Sequence, residues 1–203
     1  HTSIYKVTGL GQYEVLGATL DDAAGEAFDK FGKMMGFGFP GGVKVDQISK
    51  GGDVKKFEFP RSMIRENNYA MSFSGLKASA QRLIESLGAE EVRKNEKDLC
   101  ASFQEAIVDI LLAKMQRAIE NTEISKLVIT GGVSANSRLR ERGFQWAKEN
   151  SVDLMIPPLR FCTDNAAMIG YAGILRVNRG EFDQLTLGPS PNSYPKDFHG
   201  RGR

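Results

Sequence analysis

Hydrophobic positions recur every two residues in some segments, as in strands, and every three to four residues in others, as in helices. These two spacings divide the chain into four parts. Residues 1–16 alternate β-branched or aromatic side chains with polar ones between glycines, which predicts a β-hairpin or meander. Residues 17–125 show the three-to-four-residue spacing of amphipathic helices and predict a mainly helical part. Residues 126–180 alternate two short apolar runs with two helical patterns, as a βαβα unit requires, and residues 181–203 predict an extended basic tail.

Two helices of the second part have distinctive patterns. Thr19 and Asp22 stand three positions apart, as in a capping box, and Gly36 follows the last apolar position of the helix they would begin. Residues 97–121 carry the longest helical pattern, with an apolar stripe so wide that we expect it to be buried in the core. An exposed stripe would instead indicate an interface. The charged run 90–98 before it predicts a solvated linker or a first helical turn.

Composition places the chain among globular proteins. Its 203 residues are 41% hydrophobic and 26% charged, with 27 basic against 25 acidic side chains, which excludes collagen, coiled-coil and charge-extended disordered classes. The net charge of +2 is too small to indicate nucleic-acid binding. The longest apolar stretch, residues 166–175, is about half of what a bilayer span needs. Because the two cysteines form no disulfide framework, we expect free thiols and a cytoplasmic location.

Two loops at predicted strand ends are candidates for a ligand site. Residues 131–136 (GGVSAN) place glycines, a hydroxyl and an amide at a helix start, where free backbone amides favour an anion. Residues 157–165 follow the next apolar run and end in Thr163-Asp164-Asn165. Because the carboxyl ends of parallel strands meet at one edge, both loops should open on the same face. Ordinary interpretations stay open, since glycines are common in such connections and Thr163 or Asp164 could simply cap a helix.

Missing motifs exclude several catalytic machineries. The sequence has no GxxxxGK[ST] phosphate loop, no GxGxxG after a strand, no HExxH and no GxSxG. With His1 and His199 as its only histidines, the chain alone cannot assemble a histidine-rich metal site or an internal Ser-His-Asp triad. We interpret Cys162 as a buried thiol rather than a ligand or nucleophile. Asp29 lies late in a predicted helix, where a carboxylate opposes the helix dipole, and this unfavourable position hints at function.

Six sequence blocks, in order, resemble one family. They are GATLDDAAGEAFDK at 17–30, FPGG at 39–42, FPR at 59–61, SFSGLK at 72–77, TGGVSANSRLR at 130–140 and PPLRFCTDNAAMIGYAG at 157–173. Together they resemble the tRNA threonylcarbamoyladenosine transferases of the bacterial TsaD type, formerly described as O-sialoglycoprotein endopeptidases. His1 and Thr2 resemble the end of the family's SGGHT block, so we expect a longer parent chain whose HxxxH motif lies upstream of these residues.

The resemblance implies a fold, a reaction and partners. The fold is α/β, of the actin-like ATPase (ASKHA) class with two RNase-H-like lobes around a nucleotide cleft, and residues 1–203 would be mainly the second lobe with a helical insertion. The reaction transfers the threonylcarbamoyl group from threonylcarbamoyl-adenylate to the N6 amine of the adenosine beside the anticodon of ANN-decoding tRNAs, releasing AMP. The implied partners are tRNA, a paralogous subunit, a small ATPase and the adenylate-forming enzyme. The resemblance implies no association with a membrane.

The resemblance also implies site residues. The nucleotide would be bound by Asp29, Gly42, Asp46 and Asn136. The two carboxylates can accept hydrogen bonds from ribose hydroxyls, the glycine lets the backbone approach closely, and the amide can both donate to and accept from the nucleotide. Asp164 would be the carboxylate ligand of an iron or zinc ion acting as a Lewis acid. The family's two histidine ligands belong to the HxxxH motif, which these residues lack, and a catalytic ion usually needs about three protein ligands. We therefore expect the chain alone neither to retain stoichiometric metal nor to modify tRNA.

Other function classes stay open on the sequence. One is an ATP-binding phosphotransferase or ATPase of the same superfold, although no glycine-rich phosphate loop is evident beyond Gly131-Gly132. Another is a non-catalytic assembly module whose helical part docks partner subunits. A protease is not supported, because no catalytic dyad or metalloprotease helix is present. We interpret the HGRGR tail at 199–203 as a disordered terminus rather than a tRNA contact.

Overall fold

The computed structural model describes residues 1–188, and most of the tail expected at 181–203 lies outside them. Within residues 1–188 the chain forms strands and helices in the order β1 (Ser3–Gly9), β2 (Gln12–Ala18), α1 (Ala24–Met34), α2 (Gly41–Ile48), α3 (Ser74–Lys94), α4 (Glu96–Thr122), β3 (Lys126–Val128), α5 (Ser137–Glu149), β4 (Asp153–Met155) and α6 (Ala166–Val177). Short 3₁₀ helices at Gly132–Ala135 and Leu159–Phe161 follow β3 and β4. The class is therefore mixed α/β, as expected.

The strands form two small sheets. β1 and β2 pair antiparallel, with Ser3 opposite Ala18, and Gly11 at their turn has a φ of 76° that favours glycine. β3 and β4 pair parallel, and α5 connects them. This β3–α5–β4 unit is the crossover that the alternating apolar runs predict, and it places the carboxyl ends of both strands at one edge.

The start of α1 lies after the predicted capping box, so that prediction was wrong. Thr19 does not cap the helix, because it pairs with Met71 in an isolated parallel bridge and its hydroxyl donates to the Asp22 carbonyl at 2.8 Å. At the actual start, the Ala23 N–H donates to Glu26 Oε2 at 3.4 Å. A backbone pairing with a residue far along the chain holds position 19 extended, and a local sequence pattern does not contain that information.

Helix α4 forms the centre of the apolar core. Phe31 of α1 stacks on Phe103 of α4 with ring centroids 3.9 Å apart, and Phe28 and Phe59 approach Phe103 edge-on. Seven predicted stripe positions are buried, namely Leu99, Phe103, Ala106, Ile107, Ile110, Leu111 and Met115. The wide apolar face is therefore core rather than interface, as expected.

The charged run before α4 belongs to helices rather than to a linker. α3 ends at Lys94 and α4 begins at Glu96, so the run supplies the last turn of one helix and the first turn of the next. α3 itself is broken at Gly88, whose φ of 74° is non-helical. The alternative of a first helical turn was correct for α4, and the solvated linker was wrong.

Helix α6 is apolar but has no buried residue. Ile169, Tyr171 and Ile174 are each more than half exposed. Among residues 1–188, no helix combines the length and the apolar character that crossing a bilayer requires.

Candidate functional site

Helices α1 and α2 bring two of the expected nucleotide residues into contact. Gly32 and Gly41 let the helices approach so closely that a Cβ atom on Gly32 would lie 2.5 Å from Gly41 Cα. This approach places the Gly42 N–H 2.9 Å from Asp29 Oδ1, to which it donates a hydrogen bond. Within the described residues the second carboxylate oxygen of Asp29 has no partner, so it is available to a ligand. A surface pocket of about 580 Å³ borders Asp29, and Phe39 lines it too.

Asp46 lies one helical turn after Gly42 on the same face of α2. Its Oδ1 accepts two hydrogen bonds from Ser137 at the start of α5, from the backbone N–H at 2.9 Å and from Oγ at 2.7 Å. Within residues 1–188 its Oδ2 has no partner. Asp46 therefore fixes the start of α5 with one oxygen and offers the other to a ligand.

Asn136 caps helix α5 and joins a buried polar network. Its Oδ1 accepts the Leu139 N–H at 2.9 Å, and its Nδ2 donates to Gln104 Oε1 at 2.6 Å. Gln104 in turn donates to Ser49 Oγ at 2.9 Å, and that hydroxyl donates to the Asp46 carbonyl at 3.0 Å. Because the network starts and ends at α2 and α5, it holds Asn136 and Asp46 at a fixed separation.

The pair Asp29 and Gly42 lies next to the pair Asp46 and Asn136. Gly42 and Asp46 share a helix face, and a Cβ atom on Gly25 in α1 would lie 3.2 Å from Val133 in the 3₁₀ helix before Asn136. The start of α1 thus lies against the 3₁₀ helix that precedes α5. Helix α2 thus links the four expected residues, because Gly42 contacts Asp29 and Asp46 contacts the residue that follows Asn136.

Asp164 is the single carboxylate in the loop at residues 157–165. Asp164 is exposed, and within residues 1–188 its carboxylate makes no hydrogen bond or ion pair. No group of three or more histidine, cysteine, aspartate or glutamate side chains in that part of the chain could hold an ion. A catalytic ion usually takes about three protein ligands, so these residues do not fit a metal centre by themselves.

The capping alternative for this loop was wrong in its choice of residue. Asn165 caps α6, because its Oδ1 accepts the Met168 N–H at 2.9 Å. Asparagine is as good a helix N-cap as aspartate or threonine, so the sequence alone does not choose between these neighbours. The backbone conformation decides which of them caps the helix. Asp164 is therefore not occupied as a helix cap. Cys162, two residues earlier, is a buried free thiol, as we interpreted it.

Comparison with known sequences decides the family. The chain matches the sequence model of TsaD, tRNA N6-adenosine threonylcarbamoyltransferase, over residues 1–171, a range that holds five of the six sequence blocks and most of the sixth. The chain belongs to the TsaD family. The resemblance inferred from the sequence blocks is confirmed.

Three relatives show how much of a TsaD protein this chain represents. It is 61% identical to the tRNA N6-adenosine threonylcarbamoyltransferase of Bdellovibrio bacteriovorus over 98% of its own length, 46% identical to that of Thermotoga neapolitana over 95%, and 42% identical to that of Syntrophus aciditrophicus over 100%. It spans 57%, 58% and 59% of these relatives, respectively. The chain therefore covers somewhat more than half the length of a TsaD protein.

Two residues that contact the candidate site were not anticipated from the sequence. Gln104 lies within the apolar stripe of α4 and is only 3% exposed, and Ser137 follows Asn136 in the TsaD block. A buried glutamine must find partners, so an amide in the middle of an apolar stripe was the available signal. Its partners lie 32 and 55 residues away, which no local pattern contains.

Proposed function

We propose that this chain is the part of a tRNA N6-adenosine threonylcarbamoyltransferase that binds threonylcarbamoyl-adenylate and, after transfer, AMP. In the complete protein the threonylcarbamoyl group passes to the N6 amine of the adenosine beside the anticodon of ANN-decoding tRNAs. The observation that carries the proposal is the convergence of Asp29, Gly42, Asp46 and Asn136 on one surface, in a chain of the TsaD family.

Each of the four residues has a role that its contacts support. Asp29 and Asp46 each use Oδ1 internally, so the free Oδ2 atoms accept hydrogen bonds from the ribose hydroxyls. Gly42 keeps the space beside Asp29 open, since a Cβ atom there would lie 3.6 Å from Asp29 Oδ1. Asn136 already makes two bonds, so its remaining amide hydrogen and lone pair meet the nucleotide.

The chain forms mainly the second lobe of an actin-like ATPase (ASKHA) fold with a helical insertion, and residues 17–125 are its mainly helical part. The parallel β3–α5–β4 unit supports this, because nucleotide sites in such folds lie beyond the carboxyl ends of parallel strands. Residues 126–180 are its nucleotide-binding part, and residues 1–16 its opening hairpin. The complete protein works in the cytoplasm with tRNA, a paralogous subunit and a small ATPase.

Asp164 supplies one carboxylate ligand of an iron or zinc ion in the complete protein, and the remaining ligands come from residues outside this chain. Its exposure and its lack of a partner within residues 1–188 support this assignment. The chain alone retains no stoichiometric metal and does not modify tRNA. Elemental analysis of the purified chain tests the first statement, and about one tightly bound ion per chain would refute it.

Nucleotide binding is tested by calorimetric titration of AMP into the full-length protein. Asp29→Asn and Asp46→Asn each remove a charged acceptor, so we expect the Kd to rise roughly tenfold or more. The matched control is Asp183→Asn, which changes an exposed carboxylate far along the chain. An AMP affinity that is unchanged in both site variants would contradict the proposal.

One structural observation and one measurement separate the alternative functions from the proposed one. The assembly-module alternative depended on an exposed apolar face of the helix at 97–121, and that face is buried in α4. The ATPase alternative is tested by measuring phosphate release from ATP by the full-length protein without tRNA. Steady turnover that Asp46→Asn abolishes would favour an ATPase over a transferase.

A further inference from the structure

Arg140 contacts both of the loops that follow the parallel strands. These are the glycine loop, residues 131–136, and the Asp164 loop, residues 157–165. The Arg140 Nε donates to the Ser134 carbonyl at 2.7 Å, and Nη2 donates to the Pro157 carbonyl and lies 3.2 Å from Cys162 Sγ. One guanidinium therefore bonds to the backbone of one loop and to the backbone and thiol of the other.

No other hydrogen bond joins the two loops within residues 1–188. The parallel pairing of β3 and β4 ends at Val128 and Met155, and one further backbone bond runs from the Ile129 N–H to the Met155 carbonyl. Beyond that point the sheet no longer fixes the separation of the strands. Among hydrogen bonds, the distance between the loops is thus set by the Arg140 side chain alone.

The contacts of Arg140 are shielded and geometrically specific. Ser134 is fully buried and Cys162 is 2% exposed, so water competes little for these two acceptors. The Cys162 thiol also lies 3.5 Å from the Pro157 carbonyl, which draws the start of the Asp164 loop into a compact turn. A planar guanidinium fixes the directions of its donors, whereas a lysine ammonium acts as a single flexible point charge.

We propose that Arg140 is a positioning residue that sets the distance between the glycine loop and the Asp164 loop. It thereby keeps a nucleotide bound at Asn136 and Asp46 in register with Asp164. The identity of the ligand rests on the proposed function, but the clamp between the loops does not. The network through Gln104 and Ser137 holds Asn136 and Asp46 without Arg140, so loss of the clamp changes alignment more than affinity.

The clamp is tested by thiol labelling of the full-length protein with N-ethylmaleimide, followed by peptide mass spectrometry. In Arg140→Gln we expect Cys162 to be labelled roughly tenfold faster, because the Asp164 loop opens locally. Arg140→Lys should lie between this variant and the wild type. Cys100, fully buried in α4, is the internal control and should stay protected.

The matched control variant is Arg138→Lys, which changes an arginine of the same helix turn whose Nε bonds to Glu105 and not to either loop. It should leave Cys162 protected. Unchanged labelling of Cys162 in both Arg140 variants would overturn the clamp, as would equal acceleration in Arg138→Lys. If Cys100 is also labelled in Arg140→Gln, that variant has unfolded, and the milder Arg140→Lys variant decides.

The effect on the reaction is tested by steady-state kinetics of threonylcarbamoyl transfer to tRNA. In Arg140→Lys we expect kcat to fall roughly tenfold or more, with a change of less than about threefold in the KM for the adenylate. Equal losses in kcat and in nucleotide affinity would refute the positioning role. Failure of the wild type to bind AMP would refute the proposed function instead, and thiol labelling would still decide the clamp.

Discussion

Replacing Gly32 with alanine is expected to force α1 and α2 apart. A Cβ atom on Gly32 would lie 2.5 Å from Gly41 Cα and 2.9 Å from the Gly41 carbonyl carbon. Carbon atoms in ordinary contact are about 3.5–4.0 Å apart, and backbone atoms cannot rotate away, so the helices must separate locally by about 1 Å. The same contact holds the Gly42 N–H 2.9 Å from the Asp29 carboxylate, so the separation would also break that hydrogen bond.

The expected loss of stability is the difference between opposing effects. Alanine is favoured over glycine inside a helix by about 1 kcal/mol. Overpacking against backbone costs about 1–3 kcal/mol, and loss of a hydrogen bond to a carboxylate costs about 1.5 kcal/mol at the low end for a partly exposed group. The balance is a destabilisation of about 2 kcal/mol, or roughly 4–8 °C in Tm for a chain of this size.

The measurements are urea unfolding by circular dichroism and AMP titration by calorimetry. Gly170→Ala is the matched control, because Gly170 lies in α6 and a Cβ atom there would meet nothing within 4 Å. That variant should gain up to about 1 kcal/mol from helix propensity and leave AMP binding unchanged. If Gly32→Ala is as stable as the wild type and binds AMP equally well, close helix packing does not position Asp29.

Two further predictions concern buried and partly buried charges. Lys114→Met should destabilise the protein by about 1–3 kcal/mol near neutral pH, because the Asn68 and Glu66 carbonyls lose the ammonium donor. Burial, and then the Arg117 charge, hold the pKa of Lys114 below its ordinary value of 10.5. The unfolded chain therefore binds this proton more tightly than the folded chain does, and the folded state gains stability as pH rises toward 10.5. In urea unfolding, the difference in free energy of unfolding between the wild type and Lys114→Met should grow over this pH range. A difference that stays constant with pH would contradict the lowered pKa. Asp109→Asn weakens the ion pairs with Arg61 at 2.9 Å and with Arg142, and should cost about 1 kcal/mol in thermal melts. The difference should shrink in high salt, and a difference that does not depend on salt would contradict this electrostatic origin.

The fold was predictable where a long local pattern coincided with the tertiary structure. The stripe of α4 and the alternation of β3, α5 and β4 each repeat a period over enough residues to exclude other structures. Helix caps were less predictable. Thr19 does not cap α1 because the bridge to Met71 holds it outside the helix, and α6 is capped by Asn165 although Thr163 and Asp164 beside it have similar capping ability.

The family resemblance predicts the candidate site as a list of residues, but it does not predict the contacts between them. The sequence blocks contain Asp29, Gly42 and Asn136, whereas Asp46 lies four residues after the FPGG block. Gln104 lies outside the blocks and Arg140 ends one of them, and both act through contacts that depend on the assembled fold. A motif reports residues that lie close together in the chain, whereas the geometry of the site depends on residues that are far apart.

The two halves of the site are held by different physical means, and this difference should be visible in variants. Asp29 and Gly42 are positioned by backbone packing, so the proposed function predicts that a change separating α1 from α2 reduces stability and nucleotide affinity together. The glycine loop and the Asp164 loop are joined by the Arg140 side chain outside the apolar core, so a change there should cost little stability. A plot of transfer rate against Tm should therefore separate variants of α1 and α2 from those of Arg140. If Arg140 variants instead lose rate only in proportion to Tm, Arg140 acts through stability alone.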